Sequence, residues 1–312
     1  MLAENKHGHG ARVRGKIYTK VKRWWRGYGQ ATLPFDWTKG IVGMPVYNIK
    51  NQYEAGSCWG QAFSRLVQIL KGGDELSAKS AYSRVYTLPS GTYLPDGENE
   101  ALELGITTEA KVPSVLNGDS TESFMQDISW VNPTIINDCA TRAGLVPVSI
   151  NIDVDSIAQA IRDYKTVLFL VHGTNNGTWL SPRPTPPTSN TNIWGHYVVA
   201  DSNIAPNSKE IRFYNSWGTT VGENGFQYFT QDYINSGYLM DVIAFTPFKF
   251  NEDLWQGLTS TDVKQLQIRL GVSPQSGYFG PITKAAVIAY QKANGIIQTG
   301  YVGPLTRAML NK

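Results

Sequence analysis

The chain has 312 residues, 41% hydrophobic and 17% charged, which supports a real core in one large domain or two unequal ones and argues against disorder. A net charge of +3 is too small to imply a nucleic-acid partner by itself, and two cysteines, Cys58 and Cys139, exclude a disulfide framework. The longest apolar run, Val167-Leu168-Phe169-Leu170-Val171, reads as a buried strand and falls far below the roughly 18 residues of a membrane span.

Residues 1–10 are polar with no apolar centre, so no secretory signal is expected. Residues 1–32 hold eight Lys and Arg against Glu4 alone, a local charge of +7, and the rest of the chain carries about −4 by difference. Tyr18, Trp24, Trp25 and Tyr28 interleave with these cations. Such an arm can grip a polyanion: an anionic wall polymer, lipid headgroups or nucleic acid. It can equally be a solvated tail whose Trp pair docks on the main domain, the commoner fate of a charge run. His7 and His9 make at most a weak metal pair, and neither metal nor other cofactor is expected.

Further along, Phe63, Leu66, Val67 and Leu70 recur at three- and four-residue steps, so a helix with one buried face runs from Cys58 to Gly72-Gly73. A second helix is expected over 76–88, stopped by Pro89, then a loop over 90–97 and a short helix over 98–104 ending at Gly105. After Asn132 the pattern turns toward strands, with a brief helix over 158–164. Strands are expected at 166–171, 197–200, 212–215, 225–229 and 238–245, with a Pro/Thr/Ser-rich loop over 182–192 before His196. A composition break at 247–257 precedes a small helical unit in which Gly277-Tyr278-Phe279-Gly280-Pro281 is echoed by Gly300-Tyr301-Val302-Gly303-Pro304. In each copy the glycine turns the chain and the proline opens a helix.

Cys58 falls in the first turn of its helix, where the helix dipole and unpaired N–H groups favour the thiolate. A lone cysteine beside an apolar helix is usually just a small buried side chain. Two distant stretches change that weighting: Gly195-His196-Tyr197-Val198, and Asn215-Ser216-Trp217-Gly218 with Gly222 and Gly225 behind it. The three segments together resemble the papain-like (family C1) cysteine peptidases, over about residues 33–247 and starting at Leu33-Pro34-Phe35-Asp36-Trp37.

The resemblance implies an α+β fold of two lobes, a helical lobe carrying the nucleophile and a β-rich lobe carrying His and Asn, with the site in the cleft between them. It assigns Cys58 as nucleophile, His196 as base and Asn215 as its orienting partner. Gln52 takes the oxyanion-hole place and Trp217 shelters the His–Asn bond, while Gly56, Ser57 and Trp59 flank the nucleophile. Gly91 or Gly97 would line the cleft as a substrate-binding glycine, unless both are ordinary turn glycines. His172, also after an apolar strand, is a weaker rival base. Two departures stand out: Ala55 replaces a cysteine that many secreted members pair in a disulfide, and Val221-Gly222 replaces a second Trp-Gly, which loosens packing over the primed side. Cys139 is expected to be a buried free thiol.

Residues 257–312 resemble the three-helix peptidoglycan-binding domain, through the paired repeat and through Leu266-Gln267, Tyr290-Gln291 and Thr306-Arg307. The resulting division is an arm at 1–32, a peptidase domain at 33–247, a linker at 248–256 and the wall module at 257–312. The expected function is that of a monomeric cysteine endopeptidase acting on polypeptide through a thioester, held at the cell wall outside the cytoplasm by its module. The alternatives are a phage-type lysin that cuts peptidoglycan peptides, a non-catalytic wall-binding protein, and a polyanion binder acting through the arm.

Overall fold

The computed structural model describes residues 34–312 and, within the arm, only the backbone of two short strands, β1 (Ala11–Arg12) and β2 (Gly27–Tyr28). The polyanion-binding surface, the Trp24-Trp25 pair and the histidines His7 and His9 lie outside the described residues.

Helix α1 (Cys58–Lys71) starts behind Ser57 and stops at Gly72, whose φ of +70° suits glycine. The expected helix over 76–88 is only α2 (Ala78–Tyr82), because the chain turns at Ser83 and Tyr86 bridges to Thr92 as the two sides of a tight loop. Residues 90–97 are not all loop either. Thr92–Tyr93 forms β3, and Pro95 sits in the first turn of α3 (Leu94–Asn99), which widens into a π-helical turn (Glu100–Leu104) and ends at Gly105. The stretch after Asn132 opens with a helix rather than a strand. After α4 (Glu122–Gln126), the Asn132 side chain accepts from Ile135 N to cap α5 (Pro133–Ala140).

The β-rich half follows: β4 (Leu145–Ser149), α6 (Val154–Tyr164), β5 (Leu168–Thr174), β6 (Ile193–Ala200), β7 (Ile211–Tyr214), β8 (Phe226–Phe229), α7 (Gln231–Asn235) and β9 (Leu239–Pro247). The sheet order is β2-β4-β9-β5-β6-β1-β3, with β7 and β8 added beside β6. Both faces are covered, so β5 from Leu168 to Val171 and β6 from Tyr197 to Ala200 run without a charged or amide side chain. Leu168, Leu170, Tyr197 and Val199 face Phe63 and Leu66 of α1. Phe169, Val171, Val198 and Ala200 pack with Ile157 and Ile161 of α6 and Tyr233 of α7. The fold is therefore α+β, with a helical lobe laid across one face of a β-rich lobe.

The final unit has its own core of Phe250, Leu254, Val263, Leu266, Phe279, Val287, Val302 and Leu310 around α8 (Thr261–Arg269), α9 (Pro281–Ala293) and α10 (Pro304–Leu310). Within the stretch 248–256, Phe250 and Leu254 enter this core and Leu254 pairs with Val302, because apolar side chains gain by burial. The sequence repeat has a structural duplicate. Gln267 Nε2 donates to Tyr278 O and Thr283 Oγ1 while its Oε1 accepts from Gly277 N. Gln291 does the same with Tyr301 O, Thr306 Oγ1 and Gly300 N.

Candidate active site

The loop before Cys58 is stitched to the loop that carries Asn215. Gln52 N donates to Ser216 O at 2.8 Å, Ser216 Oγ donates to Gln52 Oε1 at 2.6 Å, and Asn51 bridges to Trp217. Gln52 Nε2 donates to Ala55 O at 2.9 Å, which closes the turn. An amide nitrogen has two protons, so this bond is compatible with a second donation. Ser57 and Cys58 are fully buried, with Cys58 the first residue of α1.

On the other side, a carboxylate does the tying. Gly56 N donates to Glu122 Oε2 at 2.6 Å, Tyr82 OH donates to Glu122 Oε1, and Gly91 N donates to Tyr82 OH at 2.7 Å. This relay links the loop before Cys58 to the strand that begins at Thr92. A Cβ on Gly56 would meet Ser90 Oγ at 2.5 Å and Gly91 N at 3.1 Å, so a larger residue would press on the Ser90-Gly91 turn. Of the two glycines read as cleft candidates, Gly91 sits in this relay beside Gly56, whereas Gly97 lies against the Trp59 ring, 2.3 Å from where its Cβ would be.

Trp59 stacks on Phe63 and meets Tyr197 edge-on at 5.3 Å, which brings the start of α1 against β6 beside His196. Its Nε1 donates to Glu100 Oε2 at 3.0 Å. Burial pushes the Glu100 carboxyl up to about 8, against the opposing pull of Arg84 and the Trp59 hydrogen bond.

His196 is buried near the start of β6, and its Nε2 lies 3.0 Å from Asn215 Oδ1. Asn215 Oδ1 also accepts from Ser216 N at 2.7 Å. Trp217 stacks on the imidazole at 4.8 Å, while Trp179 and Trp194 stand edge-on to it at 6.1 Å each. Val221 is buried in the same core, where Trp179, from a separate turn, packs against Trp217 and Phe229. His172 lies on β5 opposite Gly195, and Asn215 is hydrogen-bonded to His196. Cys139 is a buried free thiol, pushed by burial up to about 11 and so poorly nucleophilic. Among the described residues no group of three or more His, Cys, Asp or Glu side chains is placed to hold a metal.

Sequence reasoning missed Glu122, Trp179 and Gln227. Asn215 Nδ2 donates to Gln227 Oε1 at 2.6 Å, and Gln227 Nε2 donates to Trp179 O and Ser181 O. Strand parity would have exposed Gln227: in Phe226-Gln227-Tyr228-Phe229 the inward face is Gln227 and Phe229, and a glutamine on a buried face needs a polar reason.

This architecture is that of the papain-like cysteine proteases, joined to a C-terminal module of the peptidoglycan-binding type. Residues 259–310 match the family described as "Putative peptidoglycan binding domain". Xylellain, a cysteine protease from Xylella fastidiosa, superposes with a TM-score of 0.60 at 17% identity, covering 78% of this chain and 97% of its own. Procathepsin B S9 from Trypanosoma congolense gives 0.55 at 13% identity, over 79% of this chain and 89% of its own. The cysteine protease and lectin-like domains of Cwp84, a surface layer associated protein of Clostridium difficile, give 0.50 at 14%, over 81% of this chain and 59% of that one. No curated protein matches the sequence significantly. At these identities the structural likeness establishes the fold.

Proposed function

We propose that the protein is a cysteine endopeptidase held at the cell wall by its C-terminal module. The observation that carries this reading is the His196–Asn215 hydrogen bond of 3.0 Å beneath the stacked Trp217, next to a helix that begins with Cys58. Cys58 attacks the scissile carbonyl as a thiolate, and His196 protonates the departing amine. Water, activated by His196, then hydrolyses the thioester. Asn215 keeps the imidazole in plane, and the Gln52 amide with the Cys58 N–H receives the developing oxyanion. The module concentrates the enzyme on peptidoglycan, and the surface association of Cwp84 supports an extracytoplasmic site of action.

The wall module also favours a second reading, in which the cleft cuts the peptide stems of peptidoglycan itself. The test compares the protein with Cys58→Ala on unfolded casein and on purified sacculi under reducing conditions. Cys58-dependent release of casein peptides, with sacculi bound but uncut, is the expected result. New amines from sacculi with casein intact would move the assignment to a lysin. No Cys58-dependent product from either, together with no labelling of Cys58 by a thiol-reactive epoxide, would overturn both and leave a wall-binding protein.

A further inference from the structure

Gln227 is wholly buried on the inward face of β8, with its amide among three polar groups. Trp179 O is 2.9 Å and Ser181 O is 2.7 Å from its nitrogen, and the Asn215 amide is 2.6 Å from its oxygen. Backbone carbonyls only accept, so two of them facing one amide require its nitrogen and use both of its protons. The Gln227 oxygen is thereby turned to Asn215, which must answer with its own nitrogen. The Asn215 oxygen then faces Ser216 N–H and His196 Nε2. An oxygen at that point accepts a hydrogen bond from Nε2–H, which makes Nδ1 the basic nitrogen of the ring.

We infer that Gln227 is a positioning residue which, through Asn215, fixes the orientation and tautomer of His196. The inference rests on the proposed Cys-His-Asn chemistry. An apolar side chain would fill the same place in β8 but would leave Trp179 O, Ser181 O and Asn215 Nδ2 without this partner in a buried site. With Gln227 present, an Asn215 flip sets N–H against N–H toward Ser216 and oxygen against oxygen toward Gln227. Without it, only Ser216 opposes the flip. The same two carbonyls belong to the turn that holds Trp179 edge-on to the imidazole, so one glutamine secures the partner of the histidine and part of its apolar cover.

The experiment is a double-mutant cycle on the full chain with Gln227→Met, Asn215→Ala and both together. It reads kcat and KM on a peptide cleaved in a Cys58-dependent way, and the pH profile of Cys58 alkylation by iodoacetamide. Gln227→Met is expected to lower kcat roughly ten- to a hundredfold, the cost of one or two buried hydrogen bonds, with KM unchanged and the alkylation profile displaced. In the Asn215→Ala background it should lower kcat no further. Losses that multiply in the double variant, or wild-type kcat and alkylation in Gln227→Met, would overturn the inference.

A second measurement needs neither turnover nor a Gln227 variant. Ring-nitrogen NMR of His196 in Cys58→Ala, assigned by the signal lost in His196→Asn, should show the proton on Nε2 in the neutral ring. A proton on Nδ1 would overturn the relay. If Cys58→Ala leaves peptide release intact, the Cys-His-Asn reading fails, and the tautomer still tests the Gln227–Asn215–His196 relay.

Discussion

His196 and His172 sit on neighbouring strands, each after or within an apolar run, yet their surroundings differ. His196 has an amide oxygen 3.0 Å from Nε2 and an indole stacked on its face, a setting that orients an imidazole without neutralising it by a carboxylate. His172 is half-buried, and burial holds its pKa below the ordinary value of 6.5. The unfolded chain therefore takes up a proton as pH falls through 6.5 while the folded chain resists, so His172 costs stability below that pH and nothing above it. His172→Asn is expected to flatten the loss of thermal stability between neutral pH and pH 5 in a series of melting curves, without altering Cys58-dependent peptide release at pH 7. An unchanged slope would show that the acid loss resides elsewhere.

At the scale of elements, strand β1 occupies an informative place. Its backbone pairs antiparallel with Gly195, the residue before His196, and parallel with Thr92 and Tyr93 of β3. On the proposed peptidase reading, these are backbone edges with which an extended peptide substrate would pair. Removing residues 1–32 is expected to raise kcat/KM on a peptide substrate, chiefly through KM, and to speed alkylation of Cys58 by a bulky reagent. Equal rates for the truncated and full chains would mean that β1 leaves the cleft accessible. The Glu122–Tyr82–Gly91 relay shapes the same region from the other side. It joins three separate segments through hydrogen bonds alone and is therefore insensitive to reductant.

Across the whole molecule, the C-terminal module is docked as well as tethered. Phe248 N donates to Gly144 O at 2.6 Å, Gln265 Nε2 to Leu102 O at 3.1 Å, and Lys264 pairs with Glu103 at 2.7 Å. Half-exposed ion pairs contribute little by themselves, so the docking is a polar interface that orients the module more than it stabilises the peptidase. Truncation after Pro247 is expected to abolish co-sedimentation with sacculi while casein hydrolysis stays within about threefold of the full chain, with a small fall in melting temperature. Loss of hydrolysis in a folded truncated chain would show instead that the module supports the cleft.

The local signals in the sequence were enough for the helix from Cys58 to the glycine stop, the apolar strands, the duplicated Gly-Tyr turns and the order of Cys58, His196 and Asn215. These features depend on periodicity, capping and residue type within a few positions, which the chain displays openly. The expected helix over 76–88 shrank to five residues because Tyr86 found a partner in Thr92, a contact no local propensity announces. Glu122 and Trp179 were invisible for the same reason, and strand parity marks Gln227 only as a buried polar residue without naming its partners. The three come together at the site only when β8, α4 and the turn at Trp179 converge on it. The sequence by itself marked the residues on which the proposed chemistry rests and the two units of the chain. Only the tertiary structure decided which side chains hold that chemistry in place, because a buried hydrogen bond is chosen by what the fold brings within 3 Å and not by distance along the chain.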